Sequence, residues 1–358
     1  MSNLQYMLFC ALLGATAAAL SGASAQDARP VTAATAHGPH VATLTAADSA
    51  ALERGRALTR LLFDGQADAL YEAMSETLRA EIGGKPAVDG FVTQVGQQLG
   101  EETERVHEEA DSVGNVVHYD RVARYAGVPD GTVTTHWSWR EDGRLIAAYV
   151  RPTPKPAPTP HDDYRTRTTL RLPFDSEWTV AWGGRTPHRN YHVSTPDQRF
   201  AYDLLVVRDG STHEGEGTRN EDYHCFGEPI LAPAPGQVVS AIDSLHDNVP
   251  GEMLEQAPAG NHVIVDHGEG EYSVLAHLRS GSVTVEAGDR VAEGDRIGTC
   301  GNSGNSSEPH LHYHLQDGPV PLRGQGLPAQ FTDYVADGEP VARGEPVRGQ
   351  RIRPGGGR

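Results

Sequence analysis

The sequence has little positive charge. It carries 30 Lys and Arg against 48 Asp and Glu, a net charge of −18. Nothing in it could neutralise a row of phosphates, which excludes nucleic acid as a partner. Long apolar runs are missing too. The one run that stands out, Met7 to Leu20, is too short to span a bilayer comfortably, and no later segment could do so. No internal repeat is evident. Cysteine is scarce, at three residues, Cys10, Cys225 and Cys300. What is plentiful is punctuation: 40 Gly and 24 Pro in 358 residues imply many turns, and so β structure with loops rather than a helical bundle. That length leaves room for two domains, and the 38% hydrophobic and 22% charged content is that of a soluble globular protein.

The run from Met7 to Leu20 is followed by Ser21-Gly22-Ala23-Ser24-Ala25, a small-residue cleavage pattern, so residues 1–25 read as a secretory signal even though no Lys or Arg precedes the run. The expected mature protein is exported, to a periplasm or the medium. Cys10 would leave with the signal. In an oxidising compartment Cys225 and Cys300 form either one disulfide, contributing about 4 kcal/mol by chain entropy, or two buried free thiols.

Residues 26–46 are small, polar and unpatterned, a flexible leader. Leu52, Leu58, Leu61, Leu62, Leu70, Met74 and Leu78 then recur at helical spacing, broken at Gly65, and a third helix fits Val88 to Leu99. Strand patterns follow at 116–119, 121–125, 133–139 and 145–150. Helices and then an antiparallel meander predict a small α+β accessory domain over 47–150. His107, His118 and His136 are scattered through it as surface or core residues. Alternate prolines make 151–163 a semi-rigid linker. From Tyr164 the predicted strands are short (168–172, 178–182, 201–207, 236–242, 261–266, 272–278 and 310–315), and no amphipathic helix of real length appears. The second domain, 164–336, is therefore mostly antiparallel β, and 337–358 reads as a disordered tail.

Pro309 opens the run His310-Leu311-His312-Tyr313-His314-Leu315. Period-two alternation puts three imidazoles on one strand face and three apolar side chains on the other. A solvated His-rich edge would look the same, but neutral imidazole is a favoured ligand of zinc-type cations, and a catalytic zinc site takes three protein ligands plus an open position. Further ligands must come from neighbouring strands. Asp203 is a carboxylate in an apolar strand, costly unless paired or metal-bound, and His192 lies where a hairpin could bring it across. His277, in Ala276-His277-Leu278, is either a satisfied core histidine or part of the same site.

This set resembles the lysostaphin/LytM-type zinc metallopeptidases, which cut the peptide part of bacterial cell walls. Their signature is an upstream His and Asp, an A-H-L strand and a final H-x-H, matched here by His192 and Asp203, Ala276-His277-Leu278, and His310-Leu311-His312. The similarity runs over roughly 168–318. The helices and meander ahead of it resemble, in pattern only, the cystatin-like cone domains found ahead of exported hydrolases. Two departures stand out. His192 and Asp203 are eleven apart where the family's commonest spacing is four, which implies a hairpin between them and leaves His188 as the alternative ligand. His314 also stands where an acidic residue often follows.

The resemblance implies one zinc per chain, held by His192, Asp203 and His312, with His277 and His310 flanking an activated water. It implies hydrolysis of peptidoglycan cross-bridges or stem peptides. The alternatives are a catalytically inactive module that activates other wall hydrolases, as in relatives that lose their ligands, and a peptidase acting on soluble Gly-rich proteins.

Overall fold

A computed structural model describes residues 46–321 and 323–356, so the signal expected over 1–25 and the leader up to residue 45 lie outside the described residues. Four helices come first: α1 (Ala46–Phe63), α2 (Ala67–Ala73), α3 (Glu76–Glu81) and α4 (Lys85–Leu99). Gly65, at φ 71°, ends the first of them as its spacing predicts. The short α3 is an addition, started by the Ser75 hydroxyl, which accepts from the Leu78 amide. Leu58, Leu62, Leu70, Val88, Phe91 and Val95 form one core with Tyr119, Trp137, Trp139 and Leu145 of a four-stranded sheet. That sheet is a meander, β1 (Glu102–Val113), β2 (Val116–Tyr125), β3 (Val128–Arg140) and β4 (Leu145–Pro152), antiparallel in chain order. Gly55 lets α1 lie on the sheet, because a Cβ there would enter the Tyr119 ring.

Most of β1 has no apolar alternation to announce it. Charge pairing on its register holds it instead. Glu108 lies opposite Arg121 and accepts from Arg121, Arg56 and the Tyr119 hydroxyl. Burial pushes the Glu108 carboxyl up, but the bonds from Arg56 and Tyr119 outweigh that and hold it at about 2.

The second unit contains β5 (Trp178–Trp182), β6 (Tyr202–Leu205), β7 (Pro229–Leu231), β8 (Gly236–Ile242), β9 (Asn261–Asp266), β10 (Tyr272–Leu278), β11 (Arg290–Val291), β12 (Arg296–Thr299), β13 (Leu311–Gln316), β14 (Gly326–Leu327), β15 (Phe331–Ala336), β16 (Glu339–Gly344) and β17 (Arg351–Pro354). One antiparallel sheet runs β11-β8-β9-β10-β13-β6-β5-β17-β15-β16, with β14 also on β13, and β7 and β12 make a separate ribbon. The core under this sheet is aliphatic and aromatic, with Trp178, Leu204, Leu275, Leu311, Tyr313 and Phe331 essentially fully buried. The architecture is thus a small α+β unit followed by a mostly antiparallel β unit. No helix among the described residues is long and apolar enough to cross a membrane.

Two expectations need correction, and one choice left open by the sequence is resolved. The strand expected at 168–172 is a single bridge, Leu170 to Phe331. The tail expected to be disordered over 337–358 instead supplies β16 and β17, and β17 joins β5 to β15 with Ile352 fully buried. Its strands are short and set among Gly, Pro and Arg, so the composition that reads as disorder hides one well-placed apolar anchor. Cys225 and Cys300 are free, buried thiols, not a disulfide. The Cys225 thiol donates to the Pro309 carbonyl at 2.9 Å.

The Pro-rich segment is strapped down rather than free. Ala157 is buried, and its amide donates to the Val193 carbonyl at 2.7 Å. The two units also share a charged seam. Arg348, 2% exposed, donates from Nε to Asp111 and from Nη2 to Asp120, both at 2.7 Å. Removing one member of such a buried set strands the others, so Arg348→Met is expected to cost about 3–5 kcal/mol in urea unfolding. A loss under about 1 kcal/mol would refute the pinning role.

Asp111 carries the opposite sign of effect. Burial, with Asp120 and Glu109 adding to it against the pull of Arg348, pushes its carboxyl from the ordinary 3.8 up to about 6. The folded state therefore holds this proton more tightly than the unfolded chain does. Its contribution to stability is complete below 3.8 and is lost as pH rises through about 6. Buried His188, lowered to about 4 chiefly by desolvation, acts the other way over an overlapping window. The difference between Asp111→Asn and the parent isolates the first effect. The variant should gain relative stability between pH 4 and 6 in parallel unfolding titrations, and a flat difference would contradict this.

Candidate metal centre

The alternation of β13 places Leu311, Tyr313 and Leu315 in the core and turns His312 and His314 to the other face, all of them buried. Its neighbours complete the site. β6 sets Asp203 directly opposite His312, and β10 sets Ala276 opposite it on the other side, with His277 next in line. His277 sits at φ 62°, where the β9–β10 register slips between Leu275 and Leu278. A non-glycine residue in the left-handed region is held there by its surroundings, often at functional sites. The twist lays its ring 4.7 Å from that of His310 and 5.7 Å from that of His312. His192 arrives from a 3-10 turn, Tyr191–Ser194, capped by the Asn190 side chain, not from the strand hairpin that the spacing suggests.

In neutral rings the hydrogen bonds fix which nitrogen carries the proton. Gln316 donates from Nε2 to the Gly318 carbonyl at 2.6 Å and the Val320 carbonyl at 3.2 Å, so its Oε1 accepts, and the donor 3.1 Å away must be His314 Nε2. His314 Nδ1 is then an acceptor, and its partner at 2.9 Å is His312 Nε2–H. His312 Nδ1 is left with a lone pair, 2.9 Å from Asp203 Oδ1. On the other side His192 Nδ1 donates to Gln198 Oε1 at 3.1 Å, which leaves the His192 Nε2 lone pair 3.0 Å from Asp203 Oδ2. Two nitrogen lone pairs therefore face two carboxylate oxygens across buried space.

Lone pairs that close repel unless a cation lies between them. A proton is a poor candidate at His312, where burial lowers the ring's basicity despite the bond to Asp203. Burial works against a charge on Asp203, and His192 and His310, in their protonated forms, outweigh that and hold the carboxyl well below the usual range. Two imidazoles and one carboxylate, with ligand atoms within 4.8 Å of one another, are a donor set that fits a divalent metal ion.

His277 and His310 share one arrangement beside this cluster. His277 Nδ1 donates to the Ser303 carbonyl at 2.8 Å, and His310 Nδ1 to the Glu308 carbonyl at 2.9 Å. Each ring keeps a lone pair on Nε2, and that of His310 is 3.7 Å from Asp203 Oδ1. Desolvation, with His310 and His312 adding to it, keeps His277 neutral. A cleft of about 290 Å³ opens over His192, His277, His312 and His314.

His188, the alternative to His192, is elsewhere. It stacks on His107 at 4.1 Å, with Glu109 3.3 Å away, in a second His/carboxylate group on the seam between the units. Arg189 already holds that glutamate at 2.9–3.0 Å, so the group reads as an ion-pair seam. Sequence reasoning missed Tyr191, whose hydroxyl donates to Asp203 Oδ2 at 3.2 Å, and Gln198, which has no local signal. Gln316 was findable, since it continues the two-residue step from His312 and His314.

Residues 217–323 match the family model described as Peptidase family M23. The segment over residues 217–323 belongs to peptidase family M23. The matched segment holds His277, His310 and His312 and begins after His192 and Asp203. Over 155 residues the chain is 42% identical to the peptidoglycan DD-endopeptidase ShyA of Vibrio cholerae, 43% of this chain and 28% of that one. Over 111 residues it is 31% identical to the cell division protein DipM of Caulobacter vibrioides, 30% of this chain and 16% of that one. The chain thus spans less than a third of the length of either relative. The catalytic domain of lysostaphin from Staphylococcus simulans is similar at 20% identity, over 42% of this chain and 86% of that one, with a TM-score of 0.26.

Proposed function

We propose that the chain is an exported zinc metalloendopeptidase that hydrolyses peptide bonds in peptidoglycan cross-bridges or stem peptides, with one zinc held by His192 Nε2, Asp203 and His312 Nδ1. The observation that carries this reading is the pair of lone pairs aimed at the Asp203 carboxylate, with two further imidazoles presenting Nε2 beside them. The secretory signal read over residues 1–25 supports export. The similarity to a peptidoglycan DD-endopeptidase supports the substrate class. All five residues of the expected set are present, which weighs against an inactive module.

Zinc in such a site supplies Lewis acidity toward a water and a peptide carbonyl. The rest falls to the chain. Of His277 and His310, one takes the proton of the attacking water at Nε2, and the other, protonated there, donates to the oxyanion that develops on the carbonyl. The two backbone carbonyls on their Nδ1 atoms keep the rings from turning away. His314 holds His312 in the tautomer that frees Nδ1, so His314→Ala should weaken zinc affinity about 10- to 100-fold, read by competition with a chelating dye. His314→Gln, which retains an acceptor, should recover part of it, and unchanged affinity in His314→Ala would remove the residue from this role.

The test is mass spectrometry of fragments released from purified peptidoglycan by the full chain, with and without a chelator. New peptide termini that vanish with the chelator are expected. Intact peptides after treatment with fully zinc-loaded protein would overturn the reading.

A further inference from the structure

The cleft is built by both units. Its floor is the histidine cluster of the M23 domain, but part of its rim is Arg151, at the end of β4, and Pro154 beyond it, from the α+β side. In a chain of net charge −18, this wall has an unexpected character. No Asp or Glu lines it among the described residues, Asp203 lies behind the histidines, and Arg151 is its one formally charged side chain.

Arg151 also differs from the other arginines near the seam. Arg189 and Arg348 are saturated by carboxylates. Arg151 has no ion pair among the described residues. Its guanidinium lies over the Tyr149 ring at 4.4 Å, and its Nε is buried with no hydrogen-bond partner. A planar guanidinium pre-oriented on an aromatic ring, with an unused donor and no competing acid, is built for a carboxylate.

We propose that Arg151 binds a substrate carboxylate, so that this site prefers peptides bearing a free carboxylate close to the scissile bond. The accessory unit thereby supplies the specificity residue of a cleft whose chemistry belongs to the M23 domain. This rests on the peptidase reading and adds a substrate class to it. Neutral polar side chains at Ser194, Thr195 and Gln198 line the same cleft and leave the charge selection to Arg151.

The experiment uses the zinc-loaded full chain and two cross-linked stem peptides that differ only in a free terminal carboxylate or its carboxamide. The acid should be cleaved with a kcat/KM about 10- to 100-fold higher. Arg151→Gln should bring the acid down to the level of the amide through KM with bound zinc unaltered, and Arg151→Lys should restore part of the preference. Binding of both peptides to His310→Ala, followed by calorimetry, separates recognition from turnover. Equal affinity for acid and amide there, or a preference that survives Arg151→Gln, overturns the carboxylate site. Discriminating binding to His310→Ala in the absence of turnover by the parent upholds the carboxylate site and overturns the peptidase reading.

Discussion

Asp203→Ala should abolish bound zinc and hydrolysis together. The carboxylate stands between His192 Nε2 at 3.0 Å and His312 Nδ1 at 2.9 Å, one oxygen facing each. Without it two neutral imidazoles remain, too few to hold a catalytic ion against a chelator. Losing several kcal/mol of transition-state stabilisation corresponds to a fall in kcat/KM of roughly a thousandfold or more. The fold should survive. A buried carboxylate facing two lone pairs is a cost to the metal-free protein, so metal-free Asp203→Ala should melt no lower than the metal-free parent. The parent alone should gain in melting temperature on adding zinc, since only it binds the ion in its native state. An Asp203→Ala protein that keeps stoichiometric zinc would contradict the assignment.

His310→Ala should give the opposite pairing, with zinc retained and turnover lost. His310 approaches Asp203 Oδ1 only to 3.7 Å, and its Nδ1 is occupied by the Glu308 carbonyl and the Ser306 hydroxyl. It lies outside the three-atom cluster and beside it, where its Nε2 can exchange a proton with a reacting group. Loss of such a group lowers rate by about a hundred- to ten-thousandfold. The loss should appear in kcat, with KM and chelator competition little altered, because the interaction is made in the transition state. If zinc left with the side chain, His310 would be a ligand and the reading of the strand would be wrong.

The contrast between these two variants bears on what the sequence could tell. The alternation from His310 to Leu315 is a local pattern, and it correctly announced a strand with one apolar face. It could not say that its histidines are unequal. That inequality comes from the register that sets Asp203 against His312, from the Ser303 and Glu308 carbonyls, and from the chain through His314 to Gln316, all of them long-range or irregular contacts. Twelve residues of β1 escaped notice because Glu–Arg pairing across strands holds them, not alternation. The C-terminal strands escaped because one buried Ile352 outweighs a composition rich in Gly and Arg. Arg151 opens a proline-rich stretch that reads as a spacer, but β4 runs on to Pro152 and carries Arg151 to the rim of the cleft. Residues 164–336 were legible as short antiparallel strands because their turns are marked by Gly and Asp at the places where the chain reverses.

The most direct test of the metal centre is anomalous diffraction at the zinc edge from crystals of the full chain. One peak per chain is expected, within bonding distance of His192 Nε2, an Asp203 oxygen and His312 Nδ1, with His310 and His277 unligated. A peak bonded to His312 through Nε2, or lying instead between His107, Glu109 and His188, would contradict the account.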